Sequence, residues 1–315
     1  MVQVSVVIPC FNAEETIVRA LSSVVEQRFE DLEIIVVDDG SSDRTVEAVK
    51  SLGLPNLVLA ANPGRKGASA ARNRGIALAK GAFIAFLDAD DAWLPGKLTA
   101  QLAALESNPA AVFASSRCIA VKEGTEEESW LYDRLEPRSG PEVWRTLLAY
   151  NFIGTPSVVV RREALAQAGP FNEALRVAED QDLWIRLSMV GDLAFVDRPL
   201  VRVYLRAGSL SNENVLWRVE NELAMVRRHV ATLGSRITPA ERRTILGTRY
   251  TRVGRHLYLT HPRLGLQLLS KAILQGDSVL PNLAYLVMSS RPALYAKQIV
   301  KPMLRSARRS QKIKY

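Results

Sequence analysis

Leu32-Glu-Ile-Ile-Val-Val-Asp-Asp-Gly-Ser-Ser-Asp43 decides the fold. Six residues, Leu32 to Val37, are nearly all apolar, as a strand covered on both faces must be, and the run stops abruptly in an acidic, glycine-containing turn. A strand buried on both faces belongs to a parallel sheet with helices on either side. The flanking sequence repeats the pattern. Val4 to Ile8 reads as a strand and Glu14 to Gln27 as an amphipathic helix. Asp43 to Ser51 reads as a helix, Leu57 to Ala60 as a short strand and Ala68 to Lys80 as a helix ended by Gly81. Phe83 to Leu87 is a second fully apolar strand, closed by Asp88-Ala-Asp-Asp91. Two strands therefore end in carboxylates, at the edge where open α/β sheets place ligands.

Further along, Lys122 to Gly140 turns acidic and irregular and reads as a surface excursion. Ser157 to Arg161 reads as a strand leading into Arg162 to Ala168, and Asp180 to Val190 as a helix. From about Val215 the pattern is helical, with breaks at Gly234, Pro239, Pro262, Gly276 and Pro281, and Leu264 to Ile273 has the periodicity of one arm of a helical hairpin. The expected division is a catalytic α/β domain over 1–215, a helical region over 216–290 and a basic tail over 291–315.

Composition narrows the function. The 315 residues are 48% hydrophobic and 23% charged, an ordinary globular balance. Cys10 and Cys118 are too few for a disulfide framework and lack zinc spacing. Nothing before Pro9 resembles a leader, and no apolar run reaches membrane-spanning length, so a cytoplasmic chain is expected. The net charge of +8 conceals an asymmetry: residues 1–215 carry −7 and residues 216–315 carry +15. In the tail, Lys297, Lys301, Arg305, Arg308 and Lys312 share one helical face opposite Ile299, Val300, Met303 and Ala307, interrupted by Pro302. Such a stripe suits the anionic inner face of a cell membrane, against the plainer reading of a solvated tail. Nucleic acid is not an expected partner, because no recognition module is present and few aromatics interleave with the charges.

The three histidines, His229, His256 and His261, all lie in the basic part, so acid/base work in the first domain falls to carboxylates. There is no GxSxG, Walker A or post-strand GxGxxG. Asp88-Ala-Asp90 offers hard oxygen ligands at a spacing that holds one divalent cation and leaves it open to phosphates, although aspartates also favour such turns for local hydrogen bonding.

Five segments together carry a resemblance. Val4-Ser-Val-Val-Ile-Pro-Cys-Phe-Asn12, Ile35-Val-Val-Asp-Asp-Gly-Ser-Ser-Asp43, Asn62-Pro-Gly with Gly67-Ala-Ser-Ala-Ala-Arg-Asn-Arg-Gly75, Phe86-Leu-Asp-Ala-Asp-Asp91 and Ala178-Glu-Asp-Gln-Asp-Leu-Trp-Ile-Arg186 resemble, in order and spacing, family 2 glycosyltransferases of the GT-A fold. The resemblance covers roughly residues 2–211. It implies an open, mixed and mainly parallel sheet flanked by helices, here with a helical C-terminal extension, and an inverting, metal-dependent transfer from a UDP-type nucleotide sugar to a hydroxyl acceptor in bacterial-type polysaccharide, lipid-linked oligosaccharide or glycoconjugate biosynthesis. The lack of a QxxRW-like sequence and of a membrane span argues for non-processive transfer.

The residue roles it implies are these. Pro9 and Phe11 line the base slot, with Asn12 and Glu14 beside it, and Asp39 accepts a base N–H. Arg72 meets base or phosphate, with Arg74 the other arginine in reach. Asp88 and Ala89 lie by the ribose, Asp90 ligates Mn²⁺ or Mg²⁺, and Asp180 is the general base. Glu179, Trp184 and Arg206 stand on the acceptor side or behind it. Arg206 replaces a histidine common in relatives, which argues against metal ligation from that position. Glu179 and Asp180 would serve equally as acidic residues at a helix start. A different class, a nucleotide-sugar-binding or assembly protein without catalysis, is the alternative to the enzyme.

Overall fold

A computed structural model describes residues 2–276 apart from 63, 65, 123, 126, 133–135, 206–214 and 259. Arg206 and the basic tail therefore lie outside the described residues. The elements run β1 (Val4–Cys10), α1 (Ile17–Val25), β2 (Leu32–Asp38), α2 (Thr45–Ser51), β3 (Leu57–Ala61), α3 (Ala68–Leu78), β4 (Phe83–Phe86), β5 (Ala92–Trp93) and α4 (Lys97–Ser107). They continue with β6 (Ala111–Lys122), β7 (Glu128–Trp130), α5 (Trp144–Ala149), β8 (Val159–Arg161), α6 (Arg162–Ala168), α7 (Glu179–Val190), β9 (Asp192–Leu205), α8 (Val215–Thr232), α9 (Pro239–Tyr258) and α10 (Pro262–Leu274).

One mixed sheet runs in the order β3-β2-β1-β4-β8-β6-β9-β5, with β7 on β6. The first four strands are parallel, as their apolar runs require; β2 is buried along its whole length. Their register places Cys10 beside Asp38 and Val7 beside Phe86, so the loops after β1, β2 and β4 leave the sheet at one edge. Helix α3 lies close over β1: a Cβ on Gly75 would stand 2.4 Å from Val7 Cγ1, so only glycine allows that approach.

The second half of the sheet departs from the sequence reading. Strands β6 and β9, a long parallel pair, and helix α4 were not anticipated. Alanine and serine dominate β6, and Pro199 interrupts β9, which argues against a central strand; the proline sits where the register jumps from Ser116/Val196 to Arg117/Pro199. The acidic excursion also carries a strand, β7. β5 pairs antiparallel with the end of β9, so the Asp88–Asp91 loop is held between β4 and β5.

The chain divides into two compact units, Met1–Thr232 and Leu233–Tyr315. This division into compact units falls after α8. Within the first unit, His229 Nε2 of α8 is 2.8 Å from Asp182 Oδ1 of α7, so one histidine does return to the acidic part of the chain. In the second unit α9 and α10 form the helical hairpin whose second arm the periodicity indicated. They meet at glycines: a Cβ on Gly265 would lie 2.5 Å from Tyr258 Cα.

Candidate active site

A cleft of about 280 Å³ opens at the carboxyl edge of β1, β2 and β4. Pro9, Phe11 and Asn12 line it from β1 and its loop, and Asp39 from the loop after β2. Arg72 comes from α3, while Asp88, Ala89 and Asp90 come from the loop after β4. Of the residues expected at the nucleotide, Arg74 is not in the lining, and neither is Glu14. Its carboxylate accepts Arg44 N–H at 3.1 Å, and its own N–H donates to Asp43 at 3.1 Å, so it clips the loop after β1 to the start of α2.

Asn12 performs a similar tie at φ 47°, a left-handed conformation that asparagine tolerates. Its Oδ1 accepts the Ser42 N–H at 2.9 Å. The two aspartates after β2 have separate jobs. Asp38 accepts the Ser41 and Gly40 N–H groups and shapes its own turn. Asp39, 4% exposed, accepts from Asn62 Nδ2 at 2.7 Å, Lys66 N at 3.1 Å and Gly67 N at 2.8 Å.

Arg72 joins the two halves of the site. Its side chain is 7% exposed; Nη2 lies 2.7 Å from Asp88 Oδ1 and Nη1 3.1 Å from Glu179 Oε1. The flanking carboxylates hold its pKa above the ordinary arginine value despite burial. The guanidinium also sits 5.3 Å from the centre of the Phe171 ring. Arg74, two residues on, is exposed and lines no part of the cleft.

Glu179 and Asp180 open α7, after Ala178 at φ 58°. Asp180 Oδ1 accepts the Gln181 N–H at 2.6 Å and Oδ2 the Thr155 hydroxyl at 3.3 Å. Burial and the neighbouring charge of Glu179 push its pKa up to about 7, against the opposing pull of the Gln181 N–H, Arg72 and Thr155. That value suits a general base near neutral pH. Trp184, expected on the acceptor side, has no exposed surface: it packs among Phe86, Phe113 and Phe171 in the core beneath the site. Its place on the inward face of α7 explains this.

The donor set also bears on a cation. Asp88, Asp90 and Asp91 crowd into four residues, and Asp91, buried, has its pKa raised well above the usual carboxylate range by desolvation and by the charges of Asp88 and Asp90. Excess negative charge on hard oxygens at an open cleft fits Mg²⁺ or Mn²⁺ completing its coordination with phosphate oxygens. Among the described residues no group of three or more His, Cys, Asp or Glu could hold a metal ion by itself, so a cation here would depend on ligands from the diphosphate. Asp91, Thr155 and Arg19 are neighbours of the site that the sequence reading did not single out. Asp91 stands inside a motif already recognised, whereas Thr155 carried no local signal.

An open mixed sheet flanked by helices, with its cleft at the carboxyl edge of the parallel strands, is the GT-A architecture. The model of glycosyl transferase family 2 matches residues 5–169, more than half of the chain, and the chain belongs to that family. Over 105 residues it is 42% identical to WfgD of Escherichia coli, named UDP-Glc:alpha-D-GlcNAc-diphosphoundecaprenol beta-1,3-glucosyltransferase; the match covers 33% of this chain and 42% of WfgD. The chain spans less than two thirds of the length of the first curated relatives that it matches. S. aureus TarS 1-349 in complex with UDP-GlcNAc shares its fold, with a TM-score of 0.66 at 20% identity over 87% of this chain and 81% of TarS 1-349. The mannosyltransferase PcManGT of Pyrobaculum calidifontis, solved with GDP-Man and Mn²⁺, gives 0.55 at 22% identity over 96% of this chain and 80% of its own. Among the described residues no helix is long and apolar enough to cross a membrane.

Proposed function

We propose that the protein is an inverting, metal-dependent glycosyltransferase that moves one sugar from a UDP-linked donor to a hydroxyl acceptor in bacterial glycan assembly. The observation that carries this reading is Arg72, which ties the nucleotide cleft at Asp88 to the carboxylates that open α7. Pro9 and Phe11 border the base, Asp39 accepts its N–H, and Asp88 and Ala89 meet the ribose. Asp90 would hold Mn²⁺ or Mg²⁺, which when bound stabilises the negative charge of the departing diphosphate.

Asp180 acts on the acceptor. As the hydroxyl oxygen bonds to the anomeric carbon, Asp180 takes its proton, and the carbon–oxygen bond to the diphosphate breaks with its electron pair leaving on the nucleotide. One displacement inverts the centre. Burial, and after it the charge of Glu179, keeps the base raised toward neutrality, and Arg72 is among the groups that limit that rise. The name of WfgD, which specifies a diphosphoundecaprenol acceptor, supports a lipid-linked acceptor and a peripheral location on the cytoplasmic face of the membrane. We keep the boundaries 1–215, 216–290 and 291–315 as a functional division, the last part being the candidate membrane contact.

The test is a panel of UDP-, GDP- and dTDP-sugars incubated with Mn²⁺ and followed by NMR. Release of UDP with an acceptor product of inverted anomeric configuration is the expected result. Retention of configuration, or turnover only with a non-uridine donor, rejects the corresponding part.

A further inference from the structure

Helix α1 buries Ile17, Ala20, Leu21 and Val24 in the core, yet carries Arg19 and Ser23 at a spacing of four, and Gln27 stands four further on, just past its end. The spacing places Arg19 and Ser23 on one face. All three address the segment that follows the Asp88–Asp90 motif. Arg19 Nη2 donates to the Asp90 carbonyl at 2.6 Å, Ser23 Oγ accepts the Trp93 N–H at 3.0 Å, and Gln27 Nε2 donates to the Leu94 carbonyl at 3.0 Å. This stretch has only the two-residue β5 as regular structure, so α1 side chains satisfy main-chain groups that a ladder would otherwise pair.

Arg19 does more than the other two. Its guanidinium carbon lies 3.6 Å from the centre of the Tyr204 ring, and its Nε is fully buried without an acceptor. Tyr204 in turn donates its main-chain N–H to Asp91 Oδ1 at 3.0 Å. The three contacts close a circuit from Arg19 to the Asp90 main chain, from Asp91 to Tyr204, and from the Tyr204 ring back to Arg19. The end of β9 and the carboxylate loop are thereby fixed to one another through α1.

We infer that Arg19 is a positioning residue for Asp90, holding the main chain of the carboxylate loop from behind so that the Asp90 side chain meets a cation at the diphosphate. The inference rests on the metal role of Asp90 proposed above. Geometry and electrostatics predict opposite signs. A guanidinium near a cation site repels the cation, so if charge alone mattered its removal would tighten metal binding; if it positions the loop, removal loosens it.

The experiment is calorimetry of UDP binding with Mn²⁺ and with EDTA on wild type, Arg19→Met and Ser23→Ala. Expected for Arg19→Met is a Mn²⁺-dependent UDP affinity weakened roughly tenfold to hundredfold, the usual effect of removing a support behind a metal ligand, with UDP affinity in EDTA unchanged. Ser23→Ala, which loosens the same segment away from Asp90, lowers the melting temperature and leaves the Mn²⁺ dependence as in wild type. Arg19→Met binding UDP with Mn²⁺ as tightly as wild type, or more tightly, overturns the inference, as does an equal loss in EDTA. If Arg19→Met does not fold, Tyr204→Leu removes the ring and keeps the main-chain bond; it must weaken the Mn²⁺-dependent affinity in the same direction, and unchanged affinity overturns the inference. Wild type whose UDP affinity ignores Mn²⁺ removes the metal reading, and this inference with it.

Discussion

Arg72 stands 3.1 Å from Glu179 although 107 positions separate them in the chain. The same guanidinium holds Asp88, so one buried cation balances a carboxylate of the donor cleft and one beside the candidate base. A planar fork can serve two partners at once in fixed directions, which a lysine ammonium on a flexible stem does not reproduce.

Replacing Arg72 by methionine leaves Asp88 and Glu179 without that counter-charge. We expect kcat/KM to fall at least roughly hundredfold through misplacement of groups on both sides of the reacting bond. Because Arg72 holds the Asp180 pKa down, its loss moves the acidic limb of the rate profile to higher pH. A pH profile of kcat in Arg72→Met and Arg72→Lys checks this; Lys restores part of the shift and little of the rate.

Asp180→Asn is expected to retain UDP binding while transfer drops by about 10² to 10⁴, the contribution of a positioned base. It also has a stability signature. The folded pKa of Asp180 is raised to about 7 from 3.8, so its favourable contribution is present below the unfolded pKa and is lost as pH rises through the folded one. Asparagine therefore stabilises the protein at pH 8, and the advantage shrinks toward pH 4. Denaturant melts at several pH values measure it.

The parallel half of the fold was legible because β1, β2 and β4 are buried on both faces and write that as nearly continuous apolar runs, broken by Ser5 in β1 and Glu33 in β2. The acidic turns after β2 and β4 then located the cleft. The second, mixed half was not legible: β6 has neither alternation nor β-branched enrichment through Ala114-Ser-Ser-Arg117, and its parallel pairing with β9 depends on an irregular register. The sequence motifs named Arg72 without saying that it reaches Glu179. They also grouped Trp184 with its acidic neighbours, since helix phase, which turns Trp184 into the core, is visible only once α7 is docked.

Lys97 supplies a test away from the site. It is fully buried, its Nζ has no hydrogen-bond partner among the described residues, and the Trp93 ring lies 4.1 Å from it. Desolvation lowers its pKa to about 7 from 10.5, so the folded state resists protonation and loses stability as pH falls from about 10 through 7. Lys97→Met removes a buried unsatisfied donor, a change worth about 1–3 kcal/mol. We expect a gain in urea midpoint that is larger at pH 6 than at pH 9.

Asp39 bears on the choice of base. A carboxylate offers about four lone-pair positions, and three N–H groups of the chain already occupy Asp39: two on Oδ1 from Asn62 and Lys66, one on Oδ2 from Gly67. The remaining position is on Oδ2, in the cleft lining. Uracil presents one N–H on its pairing edge, whereas the corresponding nitrogen of cytosine is an acceptor and would face a carboxylate oxygen lone pair to lone pair. An unmatched buried polar group costs about 1–3 kcal/mol, so UDP should bind roughly tenfold to a hundredfold more tightly than CDP. In Asp39→Asn the side-chain amide donates as well as accepts; UDP affinity falls and the gap between the two nucleotides narrows. Competition of UDP and CDP for the same cleft, measured in wild type and variant, checks the assignment, and equal affinities in wild type reject a recognising role for Asp39.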